Sequence, residues 1–362
     1  MPRQKHRPAT LKDIAKVTGY SINTISRALR DKEDISAKTK KIIREISGKM
    51  GYINNAQASS LRLGHTNTIA VILGDISNPY FGIQMKAIEN RARSEGYSSF
   101  LLNTNENIDM EREAIQSALN KNVDGILICP TQQNEENIQY LINTGIPFVQ
   151  IGRCFENPDA SYVIQNDRLG GYQATNFLIE NGHRDILTLT SPAYISSGRD
   201  RLAGYKQALK EANIPVKTKL IREIPITSEG CSDVLSAIFR EKLHFTAIFA
   251  FSDLIALDAW VHLERLGFKI PKDISLVGFD NIQSRLALPF NLSTVNPHKT
   301  AISNTAVDCL VNIMRGKTIR SHHVIDTHLV SGETVRTIPS DNLAVIGINA
   351  WQEVKKTTGK KS

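Results

Sequence analysis

The feature that most constrains this chain is an alternation of short apolar runs with helical segments, which begins near Thr68. Each apolar run is nearly continuous, as expected for a strand that helices cover on both faces of a parallel sheet. Helical stretches, such as 82–96 and 112–122, separate the runs. The pattern predicts a doubly wound α/β fold. The predicted strands are 69–74, 100–103, 125–129, 148–151, 186–190, 247–251 and 275–279.

The number of strands and the chain length both argue for more than one sheet. A chain of 362 residues exceeds what one hydrophobic core usually serves. The strand candidates also outnumber those of a sheet of usual size. We therefore expect two α/β subdomains side by side, with a cleft between them.

The N-terminal segment has a different pattern, which predicts three short helices within residues 10–50. Thr10 followed by Asp13 is a helix-capping pair, and Gly19 provides a turn after the first helix. Ser21 opens a second helix and Ser36 a third. Two short helices joined by a tight turn and closed by a third are typical of a helix-turn-helix unit.

The basic charge of the chain is confined to this N-terminal region. Residues 1–64 contain 14 Lys and Arg but only 5 Asp and Glu, a balance of +9. The whole chain has a net charge of +8, so the other residues sum to −1. A basic balance restricted to one end indicates a polyanionic partner such as DNA, although charge alone also allows a merely solvated face.

The cysteines and the lengths of the apolar runs indicate the cellular compartment in which the protein works. Cys129, Cys154, Cys231 and Cys309 lie far apart and form no pattern typical of a metal site. Neither a signal peptide nor an apolar run long enough to span a membrane is present. We expect a cytosolic protein that has no cofactor, metal or membrane partner.

Several motifs resemble the LacI/GalR (lactose repressor) family of bacterial transcription regulators. The strongest is TLKDIAKVTGYSINTISRAL, from Thr10 to Leu29. The others follow in the family's order: DISNPYF from Asp75, NGHR from Asn181, RLAGY from Arg201, and SLVGFD from Ser275. The resemblance implies a helix-turn-helix headpiece on two subdomains of the periplasmic-binding-protein type. It also implies a transcription regulator, a repressor in this family, whose operator binding is controlled by a small-molecule effector.

The resemblance places the second headpiece helix in the major groove of operator DNA. The residue chemistry agrees, because Asn23 can pair with adenine and Arg27 with guanine, while Ile22 can contact a thymine methyl group. Each of these residues could instead occupy a solvated surface position. The predicted DNA-binding residues are Thr10, Leu11, Ser21, Ile22, Asn23, Ser26, Arg27, Arg30, Ser36, Thr39, Asn55, Ala58, Leu61 and Arg62.

Residues 55–63 match the family's hinge, a short helix that inserts a leucine into the minor groove. Leu61 is the matching residue, although it could instead pack on the α/β domain. Asn54 stands where a proline is common and Ser59 where an arginine is frequent. These departures affect the stiffness of the hinge and one contact to the DNA backbone.

The α/β region resembles sugar-binding proteins that hold a ligand at the carboxyl ends of strands. The resemblance implies that Phe81 stacks on the ligand, Arg201 binds hydroxyls or a carboxylate, and Asp280 accepts from hydroxyls. Alternatively, Arg201 and Asp280 form an ion pair between the subdomains, and Phe81 is ordinary packing. Ser252 and Pro225 depart from common family residues, which leaves the identity of a sugar or sugar-derivative effector open. The predicted effector-binding residues are Asp75, Phe81, Gln150, Arg201, Ser252 and Asp280.

Two other classes of protein compete with this interpretation. An enzyme would fit the α/β fold, but the sequence lacks the dinucleotide, phosphate-loop, nucleophile-elbow and zinc-protease motifs. A secreted sugar-binding protein would leave the basic N-terminus unexplained.

We expect a homodimer that reads a palindromic operator. The expected segments are a headpiece (1–52), a hinge (53–66), an effector-binding and dimerisation domain (67–338, with crossings near 166, 294 and 325) and a tail (339–362).

Overall fold

The structure is a computed structural model that describes residues 9–52, 65–225 and 230–339. It divides into two compact units, and the boundary in the chain falls between Thr66 and Asn67. The hinge residues predicted to contact DNA, namely Asn55, Ala58, Leu61 and Arg62, and most of the tail lie outside the described residues.

The first unit contains the predicted three-helix arrangement: α1 (Leu11–Thr18), α2 (Ile22–Leu29) and α3 (Ala37–Lys49). Its small core consists of Ile14, Ile25, Ala28 and Ile43, all fully buried. The capping pair at Thr10 and the left-handed turn at Gly19 are both present, which confirms the sequence prediction for α1. The local signals succeeded here because caps and turns depend on adjacent residues.

Within its described residues, the second unit contains two sheets, each of six strands. The first sheet has the order β11-β5-β4-β3-β1-β2, and every neighbouring pair is parallel. Its helices are α4 (Pro79–Ser94), α5 (Ile108–Asn120), α6 (Glu136–Thr144) and α11 (Lys299–Met314). Its strands are β1 (Thr68–Leu73), β2 (Ser98–Asn103), β3 (Gly125–Ile128), β4 (Phe148–Ile151), β5 (Ser161–Gln165) and β11 (His322–Ile325).

The second sheet has the order β12-β10-β9-β8-β6-β7 and is parallel except for β12, which runs antiparallel to β10. Its helices are α7 (Asp167–Glu180), α8 (Ser196–Glu211), α9 (Gly230–Arg240) and α10 (Asp253–Arg265). Its strands are β6 (Ile186–Thr190), β7 (Ile221–Glu223), β8 (Ala247–Ala250), β9 (Ser275–Phe279), β10 (Ser293–Asn296) and β12 (His328–Val330). The predicted fold class, two doubly wound parallel-sheet subdomains, is confirmed.

The chain passes between the two sheets three times. It leaves the first sheet after β5, returns after β10 and leaves again after β11. The sequence pattern missed β5, β7, β10, β11 and β12. These strands are short, and β5 and β11 carry exposed or half-exposed side chains, so they lack the apolar run that marks a fully covered strand.

Facing glycines hold α7 and α8 close together. A Cβ atom at Gly171 would lie 2.1 Å from the carbonyl oxygen of Arg201, and one at Gly204 would lie 2.1 Å from that of Arg168. Only glycine permits this approach of two backbones. The packing fixes the position of Arg201 relative to the N-terminus of α7.

The remaining global features are simple. Within the described residues, no helix is long and apolar enough to cross a membrane. Cys129, Cys154, Cys231 and Cys309 are all free and buried, as is common for cysteines that pack as small apolar residues.

Candidate functional site

A cavity of about 380 Å³ lies between the two sheets of the second unit. Its walls are formed by segments that follow strand ends: Asp75 after β1, Glu106 after β2, Arg153 after β4 and Asp280 after β9. The carboxyl ends of parallel strands are where doubly wound proteins bind ligands. The volume falls within the usual range for small-molecule pockets.

Arg201 of α8 lies in this cavity and is almost completely buried. Its Nε donates to Asp167 Oδ1 at 2.7 Å, and its Nη1 donates to the carbonyl oxygen of Phe251. The guanidinium carbon lies 3.5 Å from the ring centre of Phe279. Since a guanidinium has five N–H groups, three of them have no hydrogen-bond partner among the described residues.

Asp280 is 5% exposed and lines the same cavity, where it adopts a left-handed φ of 112°. Its carboxylate accepts no hydrogen bond from any described residue. Burial raises its pKa to about 6, and the positive charges of Arg201 and Lys299 limit that rise. A buried carboxylate without donors is costly, so Asp280 is suited to accept hydrogen bonds from a bound molecule.

Two residues that the sequence analysis did not select, Glu106 and Arg153, form an ion pair in the cavity. Nη1 and Nη2 of Arg153 lie 2.7 and 2.8 Å from the two carboxylate oxygens of Glu106. Both side chains are mostly buried. Their location after strand ends could have identified them as cavity residues. Their pairing could not be predicted from the sequence, because they lie far apart in the chain.

Gln165 also lines the cavity and contacts Asp167, and the sequence analysis selected neither residue. Nε2 of Gln165 donates to the carbonyl oxygen of Gly152 at 3.0 Å and to Asp167 Oδ2 at 2.9 Å. Asp167 in turn binds Arg201. The alternative for Arg201 was an ion pair between the subdomains, whereas its buried ion pair is with Asp167 of the neighbouring helix α7 in the same subdomain.

The predicted effector-binding residues do not all line the cavity. Asp75, Phe81 and Ser252 line the cavity, and Ser252 also caps α10 by accepting a hydrogen bond from the Ile255 N–H. The prediction for Gln150 needs correction, because this residue is fully buried and is not among the residues that line the cavity. Its amide binds both the N–H and the carbonyl oxygen of Phe155, so its hydrogen-bonding groups are used to hold a loop.

In the first unit, α2 presents the predicted base-reading residues on one surface. Ile22 is 43% exposed, and Asn23 and Arg27 are also exposed. Arg27 is paired with Asp34, with Nη2 lying 2.7 Å from Oδ2. Ser26 is half-buried and Arg30 ends the helix.

The other predicted DNA contacts of the first unit lie at helix starts. Thr10, Ser21 and Ser36 are the N-caps of α1, α2 and α3, and Ser21 and Ser36 accept hydrogen bonds from the N–H groups of Thr24 and Thr39. Leu11 packs against the core. Helix N-termini favour phosphate binding because their N–H groups and dipoles attract anions.

Comparisons with known proteins agree with this architecture. Residues 10–55 match the family described as bacterial regulatory proteins, lacI family. Residues 66–331 match the periplasmic binding proteins and sugar-binding domain of the LacI family. The HTH-type transcriptional repressor PurR of Aliivibrio salmonicida is 31% identical over 87% of this chain and 94% of its own length. PurR of Actinobacillus pleuropneumoniae serotype 3 is 30% identical over 91% of this chain and 99% of its own length.

Two solved structures are similar to this chain. A complex of the transcriptional regulator CelR with cellobiose has a TM-score of 0.68 and 26% identity, covering 91% of this chain and all of that one. A lac repressor dimer bound to operator has a TM-score of 0.80 at 23% identity, with the same coverage, and so supports the fold.

A helix-turn-helix unit followed by two doubly wound subdomains around a ligand-sized cavity defines a DNA-binding regulator that responds to a small molecule. The chain belongs to the LacI family of bacterial regulatory proteins.

Proposed function

We propose that this protein is a repressor that binds a palindromic operator as a homodimer and changes its operator affinity when a small polyhydroxylated effector occupies the cavity. In this proposal residues 1–52 read DNA, 53–66 form the hinge, 67–338 bind effector and dimerise, and 339–362 are a tail. The protein acts in the cytosol, where its operator is found, and performs no catalysis.

The observation that carries the proposal is that Asp280 and Arg201 both have polar groups without a hydrogen-bond partner among the described residues. Among the described residues, no group donates to the buried Asp280 carboxylate, and three N–H groups of Arg201 have no acceptor. A hydroxyl group can both donate and accept, so a sugar-like molecule satisfies both residues at once. Tyr80, Phe81 and Phe251 add the apolar faces against which a sugar ring can pack.

The charges of the cavity favour an uncharged effector over an acidic one. The guanidiniums that line it, Arg153 and Arg201, are already paired with Glu106 and Asp167. Asp75, Asp258 and Asp280 add further carboxylates to the lining. A phosphate or carboxylate on the effector would therefore be buried beside negative charge, because each cation among the described lining residues already has a carboxylate partner, and such burial is unfavourable.

The DNA-binding half of the proposal rests on the exposed face of α2. Ile22, Asn23 and Arg27 present an apolar group, an amide and a guanidinium, which suit a thymine methyl, an adenine and a guanine. The hydroxyl-bearing helix starts at Ser21 and Ser36 are suited to phosphate contacts that position the helix. The basic balance of residues 1–64 supports the approach to DNA.

The test is a ligand panel applied to the full-length protein. Isothermal titration calorimetry with cellobiose, ribose, ribose 5-phosphate, gluconate and hypoxanthine identifies the class of effector. An operator is selected from random double-stranded oligonucleotides, and its affinity is measured by fluorescence anisotropy with and without each compound that binds. We expect a neutral sugar to change operator affinity by about 5–150-fold, the usual range of allosteric coupling.

Variants connect this response to the cavity. Arg201→Ala and Asp280→Ala should each abolish the response while leaving effector-free operator affinity within about threefold, because neither residue lies in the DNA-binding unit. Arg201→Ala also breaks the buried ion pair with Asp167, so circular dichroism must first show that each variant is folded. Arg199→Ala is the matched control, since Arg199 is exposed on the same helix. An unchanged operator affinity with every bound compound, or a normal response in both cavity variants, would refute the proposal.

A further inference from the structure

Helix α8 carries Arg201 but has no cap of its own. Its N-cap residue is Ile195, whose side chain has no hydrogen-bonding group. The first N–H groups of a helix lack partners within the helix and need an acceptor from elsewhere. In this structure the acceptor for Ser196 comes from the other subdomain.

That acceptor is Gln132, which follows β3 of the first sheet. Its Oε1 accepts from the N–H of Ser196 at 2.9 Å and from the Ser196 hydroxyl at 3.1 Å. Its Nε2 donates to the carbonyl oxygen of Cys154, which follows β4, at 2.7 Å. One buried amide therefore joins two loops of the first subdomain to the first turn of α8 in the second.

The backbone around Gln132 is held in place independently of α8. Gln132 adopts a left-handed φ of 68°, which is uncommon for a residue with a side chain. The N–H of the preceding Thr131 donates to Glu111 Oε2 at 2.7 Å, and Glu111 also accepts from Asn137 at 2.9 Å. Such a conformation persists only when its surroundings hold it, so the loop presents Gln132 towards the cleft in a fixed direction.

We propose that Gln132 is a latch that holds the two subdomains closed by capping α8 across the cleft. Opening the cleft separates Gln132 from Ser196 and leaves the first turn of α8 without its acceptor. Since Ser197 and Arg201 of this helix line the cavity, the latch sets both the closure of the cleft and the position of effector-binding groups. This inference goes beyond the proposed function, because it concerns the free protein and needs neither effector nor operator.

Two substitutions remove the latch from opposite sides. Gln132→Met keeps the length of the side chain but removes its hydrogen-bonding groups. Ser196→Pro removes both donors, and proline is favoured at the first position of a helix. Ile195 has φ −83° and ψ 117°, an extended conformation that suits a residue before proline. Gln133→Ala is the matched control, because Gln133 is the exposed neighbour of Gln132.

Spin labels measure the opening in the full-length protein. The native cysteines are all buried, so labels can be directed to Glu135→Cys in the first subdomain and Lys206→Cys in the second, both at exposed positions. Double electron–electron resonance should give one dominant short distance for the otherwise wild-type protein. Each latch variant should raise the ratio of open to closed molecules about tenfold, as expected when hydrogen bonds of ordinary strength are lost.

Hydrogen exchange supplies a second, local readout. Amides in the first turn of α8 should exchange about tenfold faster in Gln132→Met than in wild type or in Gln133→Ala. The double variant should open no further than either single one, because both substitutions remove the same bonds. Circular dichroism establishes that each variant is folded.

Three results would overturn the latch: a broad distance distribution in the wild-type protein, wild-type distances in both variants, or additive effects in the double variant. The wild-type measurement can overturn the latch by itself, even if a variant fails to fold. None of these results bears on whether the cavity binds an effector, which is tested separately by calorimetry.

Discussion

Asp167 and Arg201 are joined by a hydrogen bond of 2.7 Å between Oδ1 and Nε, and both side chains are almost completely inaccessible to solvent. Removing one partner of a buried ion pair leaves the other charge unpaired. We expect Asp167→Ala to lower the free energy of unfolding by about 3–5 kcal/mol, measured by urea denaturation. Asp159→Ala, in an exposed pair with Arg320, should cost less than about 1 kcal/mol. Equal losses in the two variants would contradict the prediction.

Asp253 should make stability depend on pH. Burial raises its pKa to about 8, and the Asp280 carboxylate adds to the rise. The folded protein therefore holds this proton up to about pH 8, whereas the unfolded chain releases it near the ordinary value of 3.8. Because the folded state binds the proton more tightly, the contribution of Asp253 to stability falls as pH rises between these values.

We expect Asp253→Asn, which cannot ionise, to remove this pH dependence. Between pH 6 and pH 8 the wild-type free energy of unfolding should fall more steeply than that of the variant, by up to about 1.4 kcal/mol per pH unit. Urea denaturation at several pH values measures both slopes. Parallel slopes would show that Asp253 is ionised in the folded protein at neutral pH.

The Arg27–Asp34 ion pair should limit DNA binding by the free headpiece. If Arg27 contacts a base, as we propose, it must leave Asp34, and the Asp34 carboxylate repels phosphate. We expect Asp34→Asn to raise affinity for operator and random DNA alike, about two- to fivefold at low salt, with a smaller effect at high salt. Fluorescence anisotropy measures both affinities. Glu33→Gln removes the same charge one residue away, and an identical gain there would assign the effect to net charge alone.

Gly204 should be intolerant of even a methyl group. Its Cβ would meet the backbone of Arg168 and Tyr172 in α7, at 2.1 and 2.5 Å, so Gly204→Ala must push α7 and α8 apart. We expect a loss of at least about 3 kcal/mol in the free energy of unfolding, as for strong overpacking. Gly82→Ala is the control, because a Cβ at this position of α4 meets no atom within 4 Å. That substitution should stabilise the protein by up to about 1 kcal/mol, since alanine favours helix. A loss at Gly82 or tolerance at Gly204 would contradict the packing argument.

The outcome for Gln150 shows where the residue pattern was insufficient. Its position near the end of β4 is typical of a ligand-binding residue, but its amide is used by the main chain of Phe155. Arg153, three residues further along, lines the cavity instead. Which residue of a loop faces a cavity depends on the path of that loop, and no local periodicity encodes it.

The sequence by itself determined the three headpiece helices, the covered strands and the family. Caps such as Thr10 with Asp13 act over a few residues, and apolar runs such as β6 reflect burial on both faces, so both signals are local. Only the tertiary structure decided the pairing of Glu106 with Arg153, of Asp167 with Arg201, and of Gln132 with Ser196. The partners of each pair lie between 34 and 64 residues apart and meet only because two sheets and their crossings bring strand ends together.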